Sequence, residues 1–207
     1  MNHVSNEVIK IVQALGVILD GDSNHKMNRV KLIKLLWVAD RYHIRKYGRT
    51  LTETNYVAME HGPVNSLALD IARMVSDGQL SESDVEFVST YFTPNGAYTA
   101  MNLKPDTNYL SETDQEALEF ALCNFKDFDE FDLADNFSHK FPEWKRYEAY
   151  YAGGNKSSRP IDEYDFFKNP PQTEDDPFAL SDEDISASKY IYEENSKFKE
   201  SLIRTDN

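Results

Sequence analysis

The sequence predicts a mostly α-helical fold with one small β-hairpin, arranged around a central buried helix. Several segments place apolar residues at positions i, i+3, i+4 and i+7, the spacing of an amphipathic helix. One segment is apolar on nearly all sides, which predicts a helix buried at its middle. A further stretch is rich in aromatic and β-branched residues and contains an Asn-Gly pair, which is typical of a hairpin. Hydrophobic residues make up 40% of the 207-residue chain, enough for a sizeable core.

The first two predicted helices span residues 6–20 and 27–47. Ser5 can cap the start of the first helix, and Gly21 can end it. Its apolar stripe consists of Val8, Ile11, Val12, Leu15, Ile18 and Leu19. The second helix has few polar positions in its middle, and its charges cluster near both ends, where long basic side chains can reach water. Gly48 supplies its stop, and we expect this helix to be the centre of the domain.

The next elements are a short extended segment, a third helix and the hairpin. Residues 54–59 are expected to be extended, and Gly62-Pro63 is expected to start the third helix, since proline lacks only an N–H that would be unpaired there. The apolar stripe of that helix runs over residues 64–75, and Gly78 closes it. Residues 85–92 and 97–103 are the predicted hairpin strands, with Asn95-Gly96 between them.

The last part of the chain is predicted to contain further helices and an extension. Ser111-Glu-Thr-Asp114 resembles a capping box and opens a helix. A helical pair is predicted at residues 128–139 and 143–151, before Gly153-Gly154 breaks the pattern. Residues 155–180 hold four of the eight prolines and are interpreted as a linker or irregular wrap, and a last helix is predicted over residues 181–202. We therefore divide the chain into a helical domain, residues 1–154, and an acidic, proline-interrupted C-terminal extension, residues 155–207.

The charge distribution bears on partners and location. The formal net charge is −14, and the residues from Pro160 onward contribute −8 of it, 13 acidic against 5 basic. An acidic chain is poorly suited to nucleic acid, because phosphate would be repelled over most of its surface, and it is better suited to a basic protein partner. The first residues lack the features of a signal peptide, no apolar run is long enough to cross a membrane, and there is one cysteine. A soluble, cytoplasmic protein without a membrane partner is expected.

Catalytic and metal-binding motifs are not apparent in the sequence. The five histidines are too widely spaced to suggest a metal pair on one helical turn, and there is neither a glycine-rich phosphate loop nor a GxSxG elbow. Cys123 and His139 could form a Cys–His couple, but a small buried thiol and an unrelated histidine are the more common arrangement. We therefore expect no enzyme activity, metal or cofactor. An uncharacterised hydrolase would require that Cys123, His139 and a carboxylate meet in one pocket.

Four motifs in order resemble the Panacea domain, a family that includes SocA-like and phage-associated proteins. The first is Lys31-Leu-Ile-Lys-Leu-Leu-Trp-Val-Ala-Asp40, followed by Tyr42, His43 and Gly48. The others are Tyr56-Val-Ala-Met-Glu-His-Gly-Pro-Val64, then Leu110-Ser-Glu-Thr-Asp114, and finally Leu133-Ala-Asp-Asn-Phe-Ser-His139 with Pro142 and Trp144. The resemblance covers about residues 5–150.

The resemblance implies a bacterial or phage antitoxin that neutralises its toxin by direct protein–protein binding, without catalytic residues. An alternative that it also implies is an adaptor that delivers a toxin to an ATP-dependent protease. The matching positions are interpreted first as scaffold: Leu32, Leu35, Leu36, Ala39, Tyr42, His43, Gly48, Gly62, Pro63, Ser138 and His139. Aromatic and arginine side chains off the predicted core stripes, together with one glutamate, are candidates for partner contacts. They are Arg41, Arg45, Arg49, Glu60, Trp144, Arg146 and Tyr147.

The extension has no counterpart in the simplest pattern of that family. Its composition suits a segment that packs along the domain or becomes ordered on the toxin. A flexible solubilising tail is the alternative, and the sequence does not choose between them.

Overall fold

A computed structural model describes residues 3–75, 78–170 and 176–205, and over these residues it confirms a mostly helical fold with minor β structure. The α-helices are α1 Asn6–Asp20, α2 Arg29–Tyr47, α3 Ser66–Arg73, α4 Glu82–Tyr91, α5 Glu112–Phe125, α6 Pro142–Lys145, α7 Glu148–Ala152 and α8 Asp182–Thr205. A π-helix spans Asp132–Phe137, and short 3-10 turns occur at Thr107–Tyr109, Ser138–Lys140 and Glu163–Phe167. Residues 171–175 of the predicted linker lie outside the described residues.

Two small antiparallel sheets flank the helices. The strands are β1 Lys26–Asn28, β2 Tyr56–Met59, β3 Gly62–Asn65, β4 Phe92–Asn95, β5 Tyr98–Met101 and β6 Arg159–Pro160. One sheet has the order β1-β5-β4 and the other the order β3-β2-β6. The predicted hairpin is therefore present as β4–β5, with Asn95 paired to Tyr98 across a loop of Gly96 and Ala97. Gly96 has a φ of +60°, which glycine adopts without steric cost.

Helices α1 and α2 begin and end where short local signals place them. The Ser5 side chain accepts a hydrogen bond from the amide of Val8, and the Asn28 side chain accepts one from Val30. These contacts satisfy amide groups that have no partner within the helix. Gly48 ends α2 in the left-handed conformation at a φ of +71°. The predicted position of α2 at the centre is correct, because α1, α5 and α8 all pack against it and its apolar residues from Leu32 to Ala39 are buried.

Two predicted element boundaries are wrong. Residues 85–91, expected to be a strand, belong to α4, which starts with a capping box between Ser81 and Asp84. Gly62-Pro63, expected to start a helix, lies in β3, and α3 starts three residues after Pro63, where the Asn65 side chain caps it. Pairing of β3 with β2 keeps this segment extended, since the Met59↔Gly62 end of the ladder closes a tight hairpin.

The predicted helical pair after α5 is more irregular than its apolar spacing indicates. Residues 128–139 contain the π-helix and a 3-10 turn rather than one α-helix, and residues 143–151 divide between α6 and α7. Pro142 occupies the first position of α6, where its missing N–H costs nothing. This irregular segment brings Ser138, His139 and Glu143 against the β2–β3 hairpin and α2.

The described part of the C-terminal extension packs against the helical domain. Strand β6 pairs with β2, and α8 lies along α2. Ile161, Phe166, Phe167 and Phe178 are buried in the same hydrophobic core as α2. Within the described ranges, no helix combines the length and apolar character needed to cross a bilayer.

Candidate functional site

Helix α2 carries a set of buried polar side chains in its middle. They are Lys34, Asp40, Arg41, His43 and Arg45, and each is at most 2% exposed. The expectation that its charged groups reach water near the helix ends is therefore wrong for these residues. A buried charge is costly unless it is paired and hydrogen-bonded, so the partners of each residue define what this region does.

The Arg41 guanidinium forms an ion pair with Glu143 at the start of α6. Arg41 Nη1 lies 2.7 Å from Glu143 Oε2, and neither side chain is exposed. Trp37 Nε1 donates to the other carboxylate oxygen at 3.1 Å, and Arg41 Nη2 donates to the Lys168 carbonyl at 2.9 Å. Burial raises the pKa of Glu143, while the positive charge of Arg41 acts in the opposite direction. The pair connects α2, α6 and the extension inside the core.

Asp40, the residue before Arg41 in α2, holds the segment that leads into β2. It accepts hydrogen bonds from the Thr52 amide at 2.9 Å, the Thr52 hydroxyl at 2.7 Å and the Tyr56 hydroxyl at 2.7 Å. Asn65 extends this network by donating to the Thr52 hydroxyl. Burial raises the pKa of Asp40 to about 6, and the hydrogen bonds from Thr52 and Tyr56 oppose that shift.

Arg45 binds the backbone of the extension. Its guanidinium donates to the carbonyls of Phe166 at 2.9 Å and Phe178 at 3.2 Å, and to the Asn169 side chain at 2.6 Å. Burial lowers its pKa to about 10. Arginine offers five donors in a fixed planar geometry, which lets one side chain satisfy several carbonyls of an irregular segment.

His43 is a neutral structural residue between α2 and the start of α5. Its Nδ1 lies 2.7 Å from the Arg49 carbonyl, and its Nε2 lies 3.0 Å from the Thr113 hydroxyl. Burial lowers the pKa of His43 to about 4, so the ring is neutral near pH 7. Because a carbonyl can only accept, Nδ1 carries the proton and Nε2 accepts from Thr113.

Lys34 lies at the base of a pocket of 360 Å³ at the N-terminal end of α2. Its Nζ donates to the Pro63 carbonyl at 2.8 Å, next to Gly62. Burial lowers the pKa of Lys34 to about 7, and Asp135 opposes that shift. The walls of the pocket come from α2, α3, the β2–β3 hairpin and the β4–β5 loop, and several apolar side chains line it.

The histidines near this pocket do not form a Ser–His–Asp arrangement. His61 Nδ1 lies 3.1 Å from Asp135 Oδ1, and His139 Nε2 lies 3.8 Å from the same oxygen. The Ser138 hydroxyl donates to the Ala134 carbonyl at 2.6 Å. His139 stacks on Trp144, with ring centroids 3.4 Å apart, and burial lowers its pKa to about 4. These groups are used to pack the irregular segment against β2 and β3.

Cys123 and His139 do not form a Cys–His couple. Cys123 is exposed and lines a different pocket with Val17 and Leu122, away from His139. The expectation that its thiol would be buried is wrong. Across residues 3–75, 78–170 and 176–205, no group of His, Cys, Asp and Glu side chains has the arrangement of a metal site.

Residues 32–145, more than half of the chain, match the family model described as "Antitoxin SocA-like, Panacea domain". The chain belongs to the SocA-like Panacea family. No curated protein and no solved structure matches it. The matched range of the Panacea domain begins in α2 and ends in α6, so it contains both members of the Arg41–Glu143 pair.

The family-motif residues form a framework around α2 in this Panacea domain. Leu32, Leu35, Leu36 and Ala39 are fully buried, as the sequence indicates. The Tyr42 hydroxyl donates to Glu116, and the Trp144 indole donates to the Met59 carbonyl at 2.8 Å. Gly48 ends α2, whereas Gly62 and Pro63 begin strand β3. The Pro63 carbonyl accepts the hydrogen bond from Lys34.

The structure separates the seven predicted partner contacts into two groups. Arg41, Arg45 and Trp144 are at most 4% exposed, so the expectation that they lie off the core is wrong: Glu143, the extension and the Met59 carbonyl hold them inside. The remaining four are at least partly exposed. They are Arg49, Glu60, Arg146 and Tyr147, of which Arg146 and Tyr147 are neighbours in the chain.

Sequence reasoning missed the roles of Lys34, Asp40 and Glu143. Lys34 and Asp40 stand in the largely apolar stretch of α2, and a charged residue among such neighbours is a signal that its side chain is buried. Glu143 had no such signal, because its partner is 102 residues earlier in the chain. Phe178, which fills an aromatic cluster around Trp37, also lacked one.

Proposed function

We propose that this Panacea protein is an antitoxin that neutralises a cognate toxin by direct protein–protein binding. The observation that carries the proposal is the match to the antitoxin SocA-like family over residues 32–145. The geometry is compatible with a binding role, since the Ser138 hydroxyl is bonded to the Ala134 carbonyl, the His139 ring stacks on Trp144, and His43 contacts the Arg49 carbonyl.

The architecture suits recognition by a preorganised surface. The polar side chains of α2 fix the β2–β3 hairpin, α6 and the extension relative to one another. A surface that is already ordered loses less conformational entropy on binding. The net charge of −14 favours encounter with a basic partner, because opposite potentials attract over long distances.

The exposed candidates remain the proposed contacts with the toxin. Arg49 Nη2 lies 3.0 Å from Asp114 Oδ1, and Arg146 Nη1 lies 3.0 Å from Asp165 Oδ2. Tyr147 donates to the Pro160 carbonyl, and Glu60 is on the rim of the Lys34 pocket. Truncation of Arg49, Arg146 or Tyr147 also removes an intramolecular contact, so the unfolding free energy of each variant is measured beside its Kd.

The test is co-expression with the protein encoded by the adjacent gene. We expect a stable complex on co-purification and restored growth of cells that the adjacent gene product otherwise arrests. The absence of both a complex and growth rescue would contradict the proposal. Four single alanine variants, at Arg49, Glu60, Arg146 and Tyr147, then locate the interface by the change in Kd.

A protease-deficient host distinguishes direct neutralisation from proteolytic delivery. Direct binding predicts that growth rescue and toxin abundance are the same with and without ATP-dependent proteases. Rescue that is lost in the deficient host, together with toxin accumulation, would instead support the adaptor function.

A further inference from the structure

The pocket above Lys34 differs in charge from the rest of this acidic chain. Four cationic side chains line it, Arg29, Lys34, Arg73 and Lys156, against one carboxylate, Glu60. Two other pockets of this chain have balanced linings: Arg49 and Lys199 with Glu53 and Glu163 in one, and Lys126 with Glu119 in the other. The concentration of positive charge is thus a property of this pocket, in a chain whose net charge is −14.

The four cations of this pocket are not neutralised by ion pairs within the described part of the chain. Among the described residues, none of the four lies within ion-pair distance of a carboxylate, whereas Arg49 pairs with Asp114 and Lys199 pairs with Glu53. Arg29 donates to the Tyr98 carbonyl, and Lys34 donates to the Pro63 carbonyl, so these two are held in place by neutral acceptors. Asp135 acts on Lys34 electrostatically without forming an ion pair with it, so the pocket keeps a positive character that is complementary to an anionic group from outside.

Apart from the charged residues, Asn28 and His61, the lining of the pocket is apolar, and two hairpins contribute to it. Ile33 and Val64 are buried, and Val30 is 40% exposed at the opening. The β2–β3 turn and the β4–β5 loop both contribute to its walls, and such a concave site suits a protruding segment of another protein. Addition of a strand at the β3 edge is disfavoured, because Pro63 lacks an N–H and its carbonyl is bonded to Lys34.

We propose that this pocket receives a segment of the toxin in which a carboxylate side chain lies next to an apolar side chain. The carboxylate sits among the four cations, and the apolar side chain packs beside Val30. This inference rests on the proposed antitoxin function. It adds the part of the surface that determines how the toxin is oriented on this chain. A toxin that is basic overall is attracted by the acidic surface, and one acidic segment selects its orientation.

Burial of Lys34 supports this assignment. The ammonium group of Lys34 is buried against the neutral Pro63 carbonyl, and burial lowers its pKa to about 7 although Asp135 opposes that shift. A carboxylate in the pocket would stabilise the charged form of Lys34. Substitution of Lys34 itself would disturb the Pro63 contact, so the test uses the exposed cations Arg73 and Lys156.

The first experiment locates the segment by photo-crosslinking. Val30→p-benzoylphenylalanine places the crosslinker at the opening of the pocket, and the same substitution at Tyr109, which is 54% exposed, is the control. We expect a crosslink from position 30 to one toxin segment that contains Asp or Glu. A crosslink to a segment without a carboxylate, or none in an otherwise intact complex, would overturn the inference.

The second experiment measures charge complementarity. The double variant Arg73→Glu with Lys156→Glu is expected to weaken toxin binding by about tenfold or more, because two favourable charge interactions become repulsive. Lys104→Glu with Lys126→Glu makes the same change in net charge outside the pocket and is expected to leave Kd nearly unchanged. Replacement of the crosslinked Asp or Glu of the toxin by lysine should restore binding of the pocket variant, as expected if that residue interacts directly with positions 73 and 156.

The outcomes separate the inference from the proposed function. If the wild-type chain forms no complex with the toxin, both fail. If the complex forms but the pocket and control variants bind equally well, only the pocket inference fails. Displacement of the toxin by ATP, with protection of position 30 from crosslinking, would assign the pocket to a nucleotide and would also overturn it.

Discussion

Arg41 and Glu143 form an ion pair in which Nη1 and Oε2 are 2.7 Å apart and neither side chain is exposed. The two residues lie 102 positions apart, and the pair joins the central helix to α6. Trp37 donates to the same carboxylate, so one acidic side chain satisfies two donors of α2.

The losses of stability caused by removing Arg41 and by removing Glu143 are expected not to add up when both residues are removed together. Glu143→Leu leaves the Arg41 guanidinium buried without its counter-ion, at a cost of about 3–5 kcal/mol. In the double variant Arg41→Met with Glu143→Leu the uncompensated charge is absent, so the loss should be well below the sum of the single losses. Urea unfolding of the four proteins measures this coupling, and additive losses would contradict a coupled pair.

Asp40 is expected to make stability depend on pH between about 4 and 6. Burial raises its pKa from 3.8 to about 6 in the folded chain, so in that interval the folded state binds a proton that the unfolded state has released. Stability therefore decreases as pH rises through the interval, by about 3 kcal/mol at completion. An amide at this position cannot ionise, so the stability difference between wild type and Asp40→Asn should shrink by that amount from pH 4 to pH 7.

The control for this prediction is an acidic residue of the same type on the surface. Asp127 is exposed, and Asp127→Asn should retain the wild-type dependence of unfolding free energy on pH. If the Asp40→Asn and Asp127→Asn proteins respond to pH in the same way between 4 and 6, the carboxylate of Asp40 is not the source of the dependence.

Local signals explain which elements the sequence predicts correctly. The bounds of α1 and the stop of α2 follow from Ser5, the apolar stripe and Gly48, all of which act within one or two turns. The error at α4 is of the same local kind, since Ser81-Glu-Ser-Asp84 carries the capping box that was recognised at Ser111-Glu-Thr-Asp114. The β-branched and aromatic residues of this segment favoured the prediction of a strand over that signal, although such residues also occur in helices that pack well.

The buried polar site could not be predicted, because its partners are distant in sequence. Arg45 looks like a surface residue in a basic stretch until the carbonyls of Phe166 and Phe178 come within reach. Those acceptors are backbone groups of an irregular segment, and any residue type supplies them. The motif that resembles the Panacea domain marked α2 as important, but it could not show which of its charges are internal.

The aromatic side chain of Phe178 is expected to attach the extension to the domain. Its ring lies 5.4 Å from that of Phe141 and 5.7 Å from that of Phe120, and the side chain is 2% exposed. Phe178→Ala should reduce stability by about 3–5 kcal/mol, the usual effect of emptying a buried aromatic site. Phe198→Ala, at a position 64% exposed on α8, is the matched control and should change stability by less than about 0.5 kcal/mol.

Limited proteolysis checks what the Phe178 substitution does to the extension. If Phe178 fixes the extension, the variant should be cleaved after residue 154 faster than wild type, while the Phe198 control is cleaved at the wild-type rate. Equal cleavage of all three proteins would show that Arg45 and β6 hold the extension without this side chain.

Gly62 is expected to tolerate no side chain, because a Cβ atom there would meet both the Ser138 hydroxyl and the Lys34 ammonium group. Its φ is +100°, so Gly62→Ala combines backbone strain with steric conflict. Gly154 also has a positive φ, +81°, but a Cβ atom there would have nothing within 4 Å. Gly154→Ala therefore measures the backbone strain alone and should lose about 1 kcal/mol of stability. Gly62→Ala should lose about 3 kcal/mol or more in thermal or urea unfolding, and adding Ser138→Ala should recover part of it. Equal losses at the two glycines would mean that the hairpin moves away from Lys34 at little cost, and the close approach of β3 to α2 would not be a fixed feature of the fold.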